Sequence, residues 1–91
     1  MAVKGEIGWR RKTPEGRRLN VIAKSVGRDW RFLHQTGRFE KWEPVPEPPI
    51  EDWLALYDAV ERRVHRRKQT PKDLDNVKRH IRERFPEHQF D

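Results

Sequence analysis

The chain of 91 residues contains no cysteine and a single serine, Ser25. Without cysteine, neither disulfide bonds nor thiolate chemistry is available, and such a composition is typical of an intracellular protein. No apolar stretch approaches the length of a membrane span, and residues 1–6 lack the hydrophobic region of a secretion signal. The sequence therefore predicts a cytoplasmic protein that does not enter a membrane.

Motifs for catalysis and cofactor binding are also absent. The chain has no Walker loop, no GxGxxG and no GxSxG. Its four histidines form no HxH or HxxxH pattern, although His65 and His80 are expected on two antiparallel helices and can approach each other there. Two imidazoles without other ligands make a poor cation site. We therefore expect no enzymatic activity, no metal and no cofactor.

Charge dominates the composition. Charged residues make up 40% of the chain and hydrophobic residues 33%, a balance that approaches that of disordered proteins. Nine aromatic residues at regular spacing favour a packed core instead, in a single domain over residues 1–91. The net charge of +6 lies in residues 1–43, which hold 11 Lys or Arg and 5 Asp or Glu.

Two glycine-containing turns predict an antiparallel meander within residues 6–43. In the segment 13–16, Thr-Pro-Glu-Gly, the proline presets φ and Gly16 can adopt the left-handed conformation of a bulged hairpin loop. Gly27 opens a segment that suits a two-residue hairpin turn. The first turn sets Trp9 opposite Val21, and the second sets Lys24 opposite Arg31.

Because side chains alternate along a strand, this register sorts the meander into two faces. The predicted core face holds Ile7, Trp9, Leu19, Val21, Ala23, Trp30 and Phe32. The opposite face, called the basic face below, holds Arg10, Lys12, Arg18, Asn20, Lys24, Arg31 and Gln35. A slip of one residue in either hairpin would mix the two sets.

Two helices are predicted after the meander. Residues 44–49 form a proline-rich connector that cannot be helix or central strand. Apolar residues then recur at helical spacing over residues 50–68 and again over residues 71–85, where Thr70 is the expected N-cap, and residues 86–91 form a tail. The predicted fold is α+β: a three- to four-stranded antiparallel meander, followed by an antiparallel helical hairpin packed on one sheet face.

The fourth strand depends on a tight turn at Thr36 and Gly37. If that turn forms, Phe39 joins the core face, and Trp42 lies beside Arg31 on the basic face. Trp42 is then partly exposed and can stack on that guanidinium or on a base.

The basic face is the predicted site of nucleic-acid binding. Its cations suit phosphates, and its amides offer donors and acceptors to base edges. The predicted site consists of Arg10, Lys12, Arg18, Asn20, Lys24, Arg31, Gln35 and Trp42. The meander with a following helix is similar in architecture to the methyl-CpG-binding and ethylene-response-factor domains, whose sheets present Arg and Trp to the major groove, but no residue is carried over from them.

Three alternatives stay open. The basic face is equally compatible with a solvated surface whose arginine stems cover apolar neighbours. An acidic protein partner can dock on the patch formed by Ile22 and Leu33, or on an open sheet edge. A second basic cluster, residues 62–72, is explained by compensation of a helix dipole, although it also resembles a nucleic-acid patch.

Overall fold

The computed structural model describes residues 6–27, 29–37, 40–67 and 69–89 and shows an α+β fold. Its elements are β1 (Glu6–Lys12), β2 (Arg18–Val26), β3 (Asp29–Gln35), β4 (Glu43–Val45), α1 (Ile50–His65) and α2 (Pro71–Arg84). The strands form one antiparallel sheet in the order β1-β2-β3-β4. The chain divides into two compact units, residues 1–48 and 49–91. The predicted packing of the helices on the sheet stays a prediction.

The first hairpin has the predicted turn. Thr13 N–H donates to the carbonyl of Arg17 at 2.8 Å, and Gly16 N–H donates to the carbonyl of Thr13 at 2.8 Å. Gly16 has a φ of 84°, the left-handed conformation that glycine adopts without steric cost. β1 and β2 then pair with Trp9 opposite Val21, so the predicted register is confirmed.

The second hairpin is confirmed at its described residues. Gly27 has a φ of 61°, and Val26 pairs with Asp29; Arg28 lies outside the described residues. Lys24 lies opposite Arg31 and Ala23 opposite Phe32. The buried residues of β1 to β3 all lie on the predicted core face: Ile7, Leu19, Val21, Ala23, Trp30 and Phe32. The aromatic residue of β1, Trp9, is half-buried and meets Phe32 edge-on, with ring centroids 6.3 Å apart.

The turn at Gly16 supports a first prediction. Gly16→Ala should lower the free energy of unfolding by about 1–2 kcal/mol, because an L side chain in the left-handed region meets the following carbonyl oxygen. Open space surrounds this position, so the cost comes from backbone conformation and not from a clash with neighbours. Urea unfolding followed by circular dichroism measures the loss.

Gly8 provides the matched control. A Cβ at Gly8 would meet the carbonyl oxygen of Val21 at 3.4 Å and Ile22 Cγ1 at 3.6 Å, which are ordinary contacts. Gly8→Ala should therefore leave stability unchanged or raise it slightly, since alanine restricts the unfolded chain. Equal losses at both positions would contradict the role assigned to the left-handed turn.

β4 differs from its predicted position. It begins at Glu43 and uses the first residues of the proline-rich connector, with Pro44 opposite Leu33 and Val45 opposite Phe32. Proline is tolerated there because β4 is an edge strand and does not need every backbone N–H for pairing. Phe39, predicted on the core face, lies outside the described residues.

The two helices begin at the predicted residues. Thr70 caps α2: its hydroxyl accepts a hydrogen bond from the Asp73 backbone N–H, and the Asp73 carboxylate accepts one from the Thr70 backbone N–H. α1 ends at His65, three residues before its predicted end, and Arg67 adopts a left-handed φ of 61° just beyond it. This left-handed residue terminates the helical hydrogen-bond pattern.

Candidate nucleic-acid interface

The sheet register arranges the basic face in rows that run across the strands. Lys12 pairs with Arg18 at the first hairpin. The next row on this face consists of Arg10, Asn20 and Gln35. The third row is apolar and consists of Gly8, Ile22, Leu33 and Pro44, and the last consists of Glu6, Lys24 and Arg31. The seven strand residues predicted for the site therefore share one face, but the apolar row divides them into two groups.

A concavity of about 780 Å³ opens at the hairpin end of this face. It forms because β3 ends at Gln35, which pairs with Asn20, whereas the β1–β2 pairing continues to Lys12 and Arg18. The sheet therefore narrows from three strands to two at this point. The lining residues are Arg10, Arg11, Lys12, Arg18, Asn20, Gln35, Thr36 and Gly37. Five of the eight residues predicted for the site line this one concavity.

Two amide side chains organise its wall. Asn20 Nδ2 donates to Gln35 Oε1 at 2.9 Å, and Gln35 Nε2 donates to the backbone carbonyl of Glu40 at 2.9 Å. This chain of hydrogen bonds ties β2 to β3 and β3 to the segment that leads to β4. Because both amides are held by partners, the wall beside the cations is ordered before any ligand arrives.

The cations at this end are solvent-exposed and closely spaced. Lys12 and Arg18 lie opposite each other, and Arg10 lies two residues, or about 6.6 Å, from Lys12 along β1. Within the described part of the chain, none of these three forms an ion pair with a carboxylate. Like charges on facing strands destabilise the pairing by a few tenths of a kcal/mol. A bound anion would remove that repulsion.

The positive charge is weaker at the opposite end of the basic face, where Lys24 and Arg31 lie in one row with Glu6. Lys24 Nζ lies 4.0 Å from Glu6 Oε2, so a carboxylate compensates one of its two cations. Arg31 lies on the other side of Lys24 and is exposed. Its charge and that of Lys24 are separated from the concavity by the apolar row.

Trp42 does not lie at its predicted position beside Arg31. Glu43 pairs with His34, so Trp42, one residue earlier, lies toward the Gln35 end of β3. The error follows from the position of β4, which begins later in the chain than the turn at residues 36–37 suggested. Trp42 is 38% exposed and belongs to the segment that Gln35 anchors through Glu40.

Three lining residues were not predicted for the site: Arg11, Thr36 and Gly37. Alternation places Arg11 on the core face with Leu19, yet Arg11 lines the concavity and is half-buried. β1 is an edge strand, so a long side chain near its end can reach around the edge. The sequence does contain a signal for Arg11, because this residue lies in a run of three basic residues beside the hairpin turn.

His65 and His80 do not approach each other. His65 is the last residue of α1, whereas His80 stacks on Trp53 near the start of that helix, with ring centroids 5.5 Å apart. Arg84 Nη1 donates to His80 Nδ1 at 2.9 Å, because a guanidinium can only donate. Among the described residues, no three His, Asp or Glu side chains are grouped closely enough to hold a metal ion.

Comparisons with protein families, with curated proteins and with solved structures find no significant match to this chain. The architectural similarity to methyl-CpG-binding and ethylene-response-factor domains is therefore an analogy from the sequence that none of these comparisons supports. Neither α1 nor α2, the two helices of the described residues, has the length and hydropathy that crossing a membrane requires.

Proposed function

We propose that this protein is a small, cytoplasmic, non-enzymatic module that binds nucleic acid through the basic face of its sheet. The observation that carries the proposal is the cluster of Arg10, Lys12 and Arg18 around the concavity, beside the Asn20–Gln35 amide pair. Arginine and lysine contact phosphates, and amide groups can read base edges. Lys24 and Arg31 contribute from the far end of the face.

The excess of positive charge supports the same proposal. The whole net charge of +6 belongs to residues 1–43, which include β1, β2 and β3. A solvated face without a ligand would gain nothing from placing cations opposite each other, whereas an anionic ligand turns that arrangement into a binding site.

Salt dependence tests the proposal. If Arg10, Lys12 and Arg18 each contact one phosphate, the logarithm of affinity should fall with the logarithm of salt concentration with a slope of about 2 to 3. Participation of Lys24 and Arg31 would raise the slope to about 3.5 to 4.5. Fluorescence anisotropy with labelled oligonucleotides between about 50 and 200 mM salt measures it. Absence of binding at the lowest salt concentration, or binding that salt does not weaken, would refute the proposal.

A second candidate is docking onto an acidic protein partner. The apolar row holds Ile22 and Leu33, both half-buried, in the middle of the basic face, and Val26 near its edge is 46% exposed. Apolar side chains surrounded by cations suit a partner with an apolar anchor and an acidic rim. Under this function, Leu33→Asp would abolish capture of the partner, and oligonucleotides would not bind at any salt concentration.

A further inference from the structure

We infer that the ligand of this site is single-stranded nucleic acid, with one unstacked base on Trp42 and the neighbouring phosphates in the concavity. The inference rests on the proposed function and adds the strandedness of the ligand. It is drawn from the position of Trp42, the size of the cation cluster and the charge at the far end of the face.

Trp42 does not line the concavity itself, but it lies toward the Gln35 end of β3, because the chain is held to β3 on both sides of it. Two residues earlier, the carbonyl of Glu40 accepts the hydrogen bond from Gln35. One residue later, Glu43 pairs with His34. Both Gln35 and the turn residues 36–37 line the wall of the concavity. Trp42 is thus fixed near the amide wall and not on a free loop.

Trp42 also differs from the other aromatic residues in exposure. It is 38% exposed, whereas Trp30 and Trp53 are 7% and 1% exposed and serve as core residues. Among the aromatic residues that the structure describes, Trp42 is exposed and the others are buried or half-buried. Exposing an indole has no benefit for folding, but an exposed ring beside a cationic surface provides the stacking platform that single-strand binders use.

Stacking on Trp42 requires a base that is not already stacked. In a duplex both faces of each internal base are covered by its neighbours, and the edges alone are accessible in the grooves. A single strand can turn one base out onto the ring while its backbone follows the cations. Lys41, adjacent in sequence and exposed, adds a further cation to this path.

The dimensions of the cation cluster also favour a single strand. Arg10 and Lys12 are about 6.6 Å apart along β1, and β1 and β2 are about 4.8 Å apart, so the cluster spans less than the major groove width of about 12 Å. A sheet that enters the major groove meets phosphates on both flanks. At the far end of this face, however, Glu6 lies 4.0 Å from Lys24 and compensates its charge, so that row offers a second backbone less positive charge than the concavity does.

The experiment compares three probes on the full chain. These are a labelled oligothymidylate of about 12 nucleotides, a duplex of the same length, and inorganic polyphosphate as an anion without bases. The single strand should bind at least about tenfold more tightly than the duplex, and polyphosphate should compete only weakly with the single strand. The reason is that neither the duplex nor polyphosphate offers an unstacked base.

Trp42→Ala and Trp42→Phe form the matched pair of variants. Trp42→Ala should weaken single-strand binding about tenfold, whereas Trp42→Phe, which keeps an aromatic ring, should weaken it less; neither should affect the duplex. Unchanged single-strand affinity in Trp42→Ala, or a duplex that binds as tightly as the single strand, would overturn this inference but leave salt-dependent nucleic-acid binding intact. Failure of every oligonucleotide to bind would overturn the proposed function as well.

Discussion

The variant Arg10→Glu/Arg18→Glu is expected to bind oligonucleotides about 100-fold more weakly than the unchanged protein at about 0.1 M salt. Each phosphate contact contributes about 0.7 to 0.9 to the salt slope, so the loss of two contacts lowers affinity about 25- to 60-fold at that concentration. Two new carboxylates in the concavity add repulsion to this loss. The slope itself should fall by about 1.4 to 1.8. Anisotropy titration at several salt concentrations measures both quantities.

A variant with the same change in net charge elsewhere separates the site from general electrostatics. Arg66 and Lys72 are exposed residues of the second basic cluster, so Arg66→Glu/Lys72→Glu removes the same charge without touching the sheet. This control should bind within a few-fold of the unchanged protein if the concavity is the binding site, because neither residue lines it. Equal losses in both variants would mean that the concavity is not the binding site.

The variant Arg31→Glu distinguishes the two ends of the basic face. Arg31 lies beyond the apolar row, next to Lys24, which Glu6 already compensates. We expect a loss that is clearly smaller than that at Arg10 and Arg18. A smaller loss at Arg31 would mean that affinity depends on the residues around the concavity and not on the whole basic face.

The sheet was predictable because local turn chemistry determines its register. Gly16 and Gly27 fix two hairpins, and each hairpin independently places the apolar residues of β2 on the same side. Because the two turns on either side of β2 agree, one register of the three strands satisfies both of them. The faces follow from alternation alone, and so did the seven strand residues of the candidate site.

The position of β4 and of Trp42 was not predictable in the same way. The connection between β3 and β4 spans residues 36–42 and is longer than a two-residue hairpin turn, so local turn chemistry does not predict its register; the pairing of Val45 with Phe32 depends on the core face of the sheet. The concavity was not predictable either, because it arises where β3 ends before the pairing of β1 with β2 does. Neither feature leaves a periodic signal in the sequence.

The buried residues of the two helices could be predicted only in part. In α1 they include Trp53, Leu56 and Val60, and in α2 they include His80, which is 7% exposed. Leu56 lies three residues after Trp53 and four before Val60, so helical spacing alone was sufficient to identify it. His80 was missed because its burial depends on a partner from the other helix, Trp53. Such pairs depend on the packing of α1 against α2.

Trp53→Ala should therefore produce the largest loss of stability in the helical unit, about 3–5 kcal/mol in the free energy of unfolding. Trp53 is 1% exposed, its ring stacks on His80, and the Arg84 guanidinium carbon lies 4.9 Å from its centre. Alanine would leave a cavity and remove both ring contacts. For a chain of this size, such a loss approaches the whole free energy of folding. Urea unfolding monitored by circular dichroism at the helical band measures it.

Trp53→Phe is the matched control, because phenylalanine keeps an aromatic face for His80 and Arg84 and leaves a smaller cavity. Its loss should be clearly smaller than that of alanine. Trp53 Nε1 is buried, so phenylalanine also removes a buried polar group. If both variants lost the same stability, the indole–imidazole stack would not hold α1 to α2, and the aliphatic contacts of Leu56, Val77 and Ile81 would carry the hairpin instead.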